Sequence, residues 1–320
     1  MTVNIELPFD SGKVMRWAQS QNVELQEPPW EQMLKAPNVH RILYSRPRKG
    51  LSVPGPYSFV LKWTKPAEVA ALKTLTPLIG PESCAPELVD SGSDSCGVWL
   101  LRPYYDGQPA TQYEDVPIGV LEWLAKVHAH FLGRSCDGLG LVTDESWRKL
   151  CVENVAPSLR AAERSAGVGS ALKQTLARAA SVLEDWAVDS RMSQAITLLP
   201  TTMVNGDVHG GNVIANASPP VLFDWGEALV APPMLDVVRS TLRGSSKYLA
   251  YIDAASSAGM SESQLSGVEI GYDWAVVYHT AQKLWAFANS TDAEWIQMVV
   301  DRGSEALRRL GSGLSDVAAT

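Results

Sequence analysis

Between residues 203 and 225 the chain reads MVNGDVHGGNVIANASPPVLFDW. Three side chains in this stretch can do chemistry together: Asp207, Asn212 and Asp224. Asp207 and Asn212 lie five residues apart in a glycine-rich loop. The loop runs into an apolar run of Val213, Ile214 and Ala215. A turn from Asn216 to Pro220 follows, then Val221, Leu222 and Phe223, ending on Asp224. A loop and hairpin of this kind bring a carboxylate, an amide oxygen and a second carboxylate to one end of two short strands. These are hard oxygen ligands, suited to a Mg2+ ion that holds a nucleotide phosphate. A first carboxylate can orient an incoming hydroxyl and accept its proton. Plainer readings exist for each residue. Asp207 after Gly206 could form a turn, and Asn212 could cap the loop. Asp224, after Val-Leu-Phe and before Trp225, is poorly placed for a plain surface charge, and a cation would offset its desolvation.

The stretch resembles the catalytic segment of the aminoglycoside phosphotransferase and choline kinase-like family, distant relatives of the protein kinases. That family reads roughly His-Gly-Asp-Leu-His-x-Gly-Asn, followed by a hairpin ending in Asp-Trp or Asp-Phe. This chain has Asn205-Gly206-Asp207-Val208-His209-Gly210-Gly211-Asn212, then Asp224-Trp225. It departs at Asn205, where the family usually has a loop-supporting His. The resemblance covers roughly residues 30–290 and is specific in 205–236. It implies an α+β, bilobal protein kinase-like fold. The small N-lobe, 1–103, would be an antiparallel sheet with one helix. The larger, mostly helical C-lobe, 104–320, would carry the catalytic loop and the acceptor site.

The elements that must position these groups lie upstream. Residues 12–20 read as a short helix. Residues 30–34, 39–45 and 57–63 read as strands from their β-branched and aromatic content. The Pro- and Gly-rich segment 46–56 reads as an exposed loop. Pro66 fits a first helical turn, and Val69, Leu72 and Leu75 share one face of that helix. A short strand is expected at 87–90 and another at 97–103. Helices follow over 117–132, 146–159 and 170–188, and His128 reads as a core or buried-polar histidine. Pro232 and Pro233 fit a helix start, and long helices over 261–288 and 292–310 close the chain.

The resemblance gives several of these positions a role. It puts nucleotide phosphates near the turn at 35–38, where Asn38 or backbone amides approach them. No GxGxxG is present, and an ordinary hairpin turn is the other reading. Lys62, otherwise a solvated strand charge, would neutralise the α- and β-phosphates. Glu68 would pair with Lys62; alone, it is a first-turn acid favoured by the helix dipole. Backbone near Leu100 to Arg102 would meet the adenine. Asp236 would hold the catalytic-loop backbone, as Asn205 would support the loop. His209 either packs within the loop or touches substrate. Glu227, three residues past Asp224, faces metal or acceptor. Acids of the C-terminal part, Asp273 among them, suit a cationic acceptor, whereas aromatics there are more often core than a cation-π box.

Composition sets the outer bounds. The chain has 320 residues, enough for two lobes with a sizeable core. Its net charge of -8 argues against nucleic acid or an anionic membrane surface as partner. The four cysteines show no CxxC spacing, which reads as reduced thiols in a cytoplasmic protein. The N-terminus has no basic and apolar leader pattern, and no apolar run reaches a membrane span. Zinc is disfavoured because His209 has no Cys or His at ligand spacing, and a serine hydrolase because no GxSxG occurs.

The expectation is therefore an O-phosphotransferase that uses ATP, with GTP left open, and Mg2+. Its partner would be a small hydroxylated molecule: an aminoglycoside or other cationic antibiotic, an amino alcohol or a sugar. Lys62 and Glu68 would serve the phosphates, Asp207 the hydroxyl, and Asn212 and Asp224 the metal. The alternative, motivated by Asn205 and the missing glycine-rich loop, is a nucleotide-binding but inactive kinase-like regulatory protein. Oligomeric state is not readable from the sequence.

Overall fold

A computed structural model describes residues 11–22, 24–33, 38–45, 57–110, 112, 115–165, 169–286 and 292–318. The chain divides into two compact units. One holds Met1–Trp123, Cys136–Leu139 and His209–Ala228; the other holds Leu124–Ser135, Gly140–Val208 and Leu229–Thr320.

The first unit is built on an antiparallel sheet. Helix α1 (Ser11–Ser20) precedes β1 (Gln26–Met33), β2 (Val39–Ser45) and β3 (Tyr57–Thr64). Helix α2 (Pro66–Leu75), β4 (Asp90–Asp94) and β5 (Gly97–Pro103) follow. The spatial order is β1-β2-β3-β5-β4. Successive side chains of a strand point to opposite faces, and this decides where the chemistry can sit. Phe59 and Leu61 of β3 pack with Ile42, Trp99 and Leu101 against Val14 and Ala18 of α1. Val14 and Ala18 are four residues apart, hence on one helix face. Lys62 has the opposite parity to Phe59 and Leu61, so it projects from the other face of the sheet. Its cross-strand neighbours are Val39 and Leu100.

Two strands differ from expectation. Strand β1 starts at Gln26 rather than at residue 30, and Leu34 lies outside the described residues. Pro28 and Pro29 argue for a late start. Yet β1 is an edge strand whose register shifts between Gln26 and Trp30, and missing N–H donors are tolerated there. The strand expected at 87–90 lies instead at Asp90–Asp94. Its sequence, DSGSD, has no β-branched or aromatic residue to announce it; pairing along β5 makes it a strand.

Beyond β5 the chain is mostly helical: α3 (Ile118–Phe131), α4 (Asp144–Arg148), α5 (Ala156–Glu163), α6 (Ser170–Trp186) and α7 (Ser190–Leu198). The helix expected over 146–159 is interrupted, because Lys149–Val155 is wound as a π-helix. Pro157, at the start of α5, lacks an N–H and crowds the carbonyl of the preceding turn, which the wider π turn accommodates. In the second unit β6 (Thr202–Val204) pairs with β9 (Leu229–Ala231). In the first, β7 (Val213–Ile214) and β8 (Val221–Leu222) form the expected hairpin. The helix expected from Pro232 is a single 3-10 turn, Pro233–Asp236. Helix α8 (Ser246–Ser257), which the sequence did not announce, precedes α9 (Glu262–Ala286) and α10 (Ala293–Ala318). Among the described residues no helix is long and apolar enough to cross a membrane. The α+β class expected from the sequence is the class found.

Candidate active site

In the first unit the face of the sheet opposite α1 carries a chain of charges. Lys62 Nζ lies 2.7 Å from Glu68 Oε2 and 2.9 Å from Asp224 Oδ1. Pro66 starts α2, which puts Glu68 in its first turn, three positions after the cap, where the helix dipole favours an acid. The Thr64 hydroxyl also donates to Glu68. Glu68 is buried and Lys62 nearly so. Burial works to lower the Lys62 pKa, but the carboxylates of Glu68 and Asp224 outweigh it and hold the ammonium above its ordinary value. Lys62 is therefore a fixed cation at neutral pH.

The hairpin delivers the second carboxylate. The Phe223 N–H donates to the Asn212 carbonyl at 2.9 Å, and Val213 faces Leu222. Asn212 thus sits opposite the residue before Asp224, and the two side chains share one end of the hairpin. Asp224 is left-handed, with φ 59°, a conformation Asp tolerates better than most residues. Behind it Trp225 is fully buried, packed edge-on to Trp123, with its indole N–H on the Leu222 carbonyl. The anchored tryptophan holds the strained residue in place. At the other end of the loop the Gly210 carbonyl accepts from the Ala110 N–H. A Cβ on Gly210 would lie 2.1 Å from the Gln112 carbonyl, so the approach needs a glycine. Amide and carboxylate oxygens so placed match the donor chemistry of a Mg2+ site.

Asp207 belongs to the second unit, and its loop is tied down there. The buried carboxylate of Asp236 accepts from two successive backbone N–H groups, Asn205 at 2.8 Å and Gly206 at 2.7 Å. Gly206 has φ 80°, which a side chain would strain. The Asn205 side-chain oxygen accepts from the Asp207 N–H at 3.0 Å, closing a local turn. His128 Nε2 lies 3.2 Å from Asp236, and its Nδ1 lies 2.8 Å from the Tyr251 hydroxyl. Burial raises the Tyr251 pKa well above its usual value, so the hydroxyl stays a donor. The ring thus bridges the Tyr251 hydroxyl and the Asp236 carboxylate.

The remaining candidates are placed as follows. Asn38 donates from its side chain to the Trp63 carbonyl at 2.9 Å; residues 35–37 lie outside the described residues. Leu100 pairs with Lys62 on one side and Ser91 on the other, whereas Arg102 pairs only with Val60. Arg102 also donates to the Pro103 carbonyl at 3.3 Å. Glu227 is exposed and ion-paired with Lys65. Burial, opposed by the charge of Asp224, holds His209 below its ordinary 6.5. Asp273 is buried between two arginines, Arg243 and Arg309, each at 3.0 Å.

Sequence reasoning missed two residues. Thr64 shares Glu68 with Lys62; a hydroxyl four positions before an acid carries no signal of its own. Arg239 forms an ion pair with Asp207 in the second unit, and only its position three residues past Asp236 hints at this. His128 is the buried polar histidine that the sequence suggested, and its partner Asp236 lies 108 positions away.

Comparison with known proteins gives a consistent result. The model of APH, the phosphotransferase enzyme family, matches residues 58–275. A search of curated proteins finds no match. Among solved structures, an aminoglycoside phosphotransferase from Alicyclobacillus acidocaldarius subsp. acidocaldarius DSM 446 is 13% identical. The match covers 99% of this chain and 97% of that one, with a TM-score of 0.51. A choline/ethanolamine kinase family protein from Mesorhizobium loti is 13% identical, covering 92% and 94%, with a TM-score of 0.50. At such identities the likeness establishes the fold, the α+β protein kinase-like one.

Proposed function

This chain belongs to the phosphotransferase enzyme family, and we propose that it moves the terminal phosphoryl group of ATP to a hydroxyl of a small molecule. The observation that carries this reading is the Lys62–Glu68–Asp224 charge chain with Asn212 on the same hairpin. Lys62, held by Glu68, balances the charge of the phosphates. Asn212 and Asp224 supply oxygens for Mg2+, which when bound neutralises phosphate oxygens and clamps them. Main chain at Arg102, where β5 has lost its β4 partner, meets the base. Asp207 orients the acceptor hydroxyl and takes its proton as the new O–P bond forms and the bond to ADP breaks. Asn205 and Asp236 keep the Asp207 backbone in place. Kinase-type transfer asks little more of a protein than this positioning and charge balance.

Asp207→Ala is expected to abolish phosphate transfer to the acceptor while nucleotide binding persists, read by thermal shift with and without Mg2+. Unchanged transfer would sink the assignment. Metal-dependent nucleotide binding with no turnover on any hydroxylated amine, sugar or antibiotic would instead favour a nucleotide-binding protein without catalysis.

A further inference from the structure

Within the second unit, α9 and α10 enclose a cavity of about 130 Å3. Its polar walls are His279, Thr280 and Lys283 from α9 and Trp295 and Arg302 from α10; the rest of the lining, Val238 included, is apolar. His279, Thr280 and Lys283 lie within one helical turn of each other, and Trp295 and Arg302 are two turns apart, so each helix presents one face. His279 is 6% exposed, and neither ring nitrogen makes a hydrogen bond of good geometry. Gln282 lies near enough to favour the charged ring but closes no such bond. A buried polar group left this way is costly, and native proteins rarely keep one without a use.

The surroundings indicate what would use it. Burial first, then the positive charges of Arg239, Lys283 and Arg302, keep the imidazole neutral, well below its ordinary range. A neutral ring retains an N–H donor. The cavity thus offers an imidazole N–H, a hydroxyl and two cations, and no carboxylate lines it among the described residues. Such a lining suits an oxyanion. The volume falls below the roughly 300–1,000 Å3 of sites that hold a whole drug-sized ligand. It takes one group. The cavity is also linked to the candidate base: Val238 adjoins Arg239, whose charge acts on His279 and whose guanidinium is paired with Asp207.

We propose that this cavity binds a compact oxyanion, either inorganic phosphate or the carboxylate or phosphate group of a larger ligand. If that ligand is the phosphate acceptor, which rests on the phosphotransferase reading, the acceptor carries an acidic group rather than an amine beside Arg239. The charge of Arg239 that acts on His279 also pairs with Asp207, so an anion in the cavity is coupled electrostatically to the candidate base.

The test is calorimetric titration of the full chain with inorganic phosphate, at constant ionic strength set with chloride. Wild type should bind saturably. Arg302→Met and Lys283→Met should each weaken binding at least about tenfold, the scale of a lost charge-assisted hydrogen bond. Arg302 is exposed and Lys283 partly so, so both variants should keep the wild-type circular dichroism. Absence of saturable binding in wild type, or binding that both variants leave unchanged, overturns the proposal. The second result would place phosphate elsewhere, for instance at Lys62. Competition between phosphate and an active acidic acceptor would assign the site to the acceptor's anionic group. Phosphate binding without competition would assign it to a free anion. Phosphate binding that survives Asp207→Ala separates this site from the phosphotransfer reading, because it depends on no turnover.

Discussion

Replacing Lys62 with Met tests the charge chain on which the first unit's site is built. The Glu68 side chain is 4% exposed and that of Lys62 17%, whereas that of Asp224 is 47% exposed. The Asp224 contact is therefore half in water and adds little to stability. The Glu68 contact is buried, and removing its cation leaves a buried carboxylate held by the Thr64 hydroxyl. Breaking a buried pair from one side costs about 3–5 kcal/mol. The remaining hydroxyl bond, and water entering from the Asp224 side, put the expected loss at the low end, about 3 kcal/mol. Adding Glu68→Gln removes the orphaned charge, so the double variant should recover at least about 1 kcal/mol through coupling of contacting residues. Urea denaturation at neutral pH, followed by tryptophan fluorescence, gives both numbers. A single-variant loss below about 1 kcal/mol, or a double variant no more stable than the single, would refute the compensation argument.

Other expectations follow from the same contacts. Asp236→Ala orphans two buried backbone donors at about 1–3 kcal/mol each, so denaturation should show a loss of about 2–6 kcal/mol; Asp236→Asn, which keeps an acceptor, should lose less. Gly206→Ala forces a side chain into the left-handed region at φ 80° and should cost about 1–2 kcal/mol in the same assay. In alkali, burial holds the protons of Cys151 and Tyr251, and at Lys62 the two carboxylates outweigh burial. All three pKa values are raised above unfolded references of 9.0, 10.0 and 10.5. The unfolded chain then loses protons first, so stability is intact below about pH 9 and falls as pH rises from there. Cys151→Ala should flatten the first part of that fall in urea midpoints measured across the range.

Legibility followed local pattern. Strands β2 and β5 occupy the ranges that their β-branched and aromatic residues mark, because side-chain alternation and burial act together there. Strand β4 has no such residues; it exists because β5 offers an unpaired edge, which no window of local sequence contains. The π-helical turn before Pro157 differs: its cause, a proline, is local, but apolar spacing does not reveal the widened hydrogen-bond register that accommodates it. Asn205 is the instructive case at the site. As a departure from a family pattern it raised the question of an inactive protein. Its side chain accepts from the Asp207 N–H, a bond that its amide oxygen makes readily and that letter-by-letter comparison does not register.

The sequence by itself named the atoms proposed for the chemistry. Asp207, Asn212 and Asp224 are set by a loop and hairpin only tens of residues long, where covalent connection and turn residues limit the arrangements. The parity of β3 likewise put Lys62 on the face opposite Phe59 and Leu61. The tertiary structure alone decided who holds these atoms. Asp224 meets Lys62 across 162 positions, and His128 meets Asp236 across 108. Arg239 comes to Asp207, and the facing sides of α9 and α10 close around His279. Those pairings are selected by burial and charge compensation in three dimensions, where the energy of a contact bears no relation to its separation along the chain.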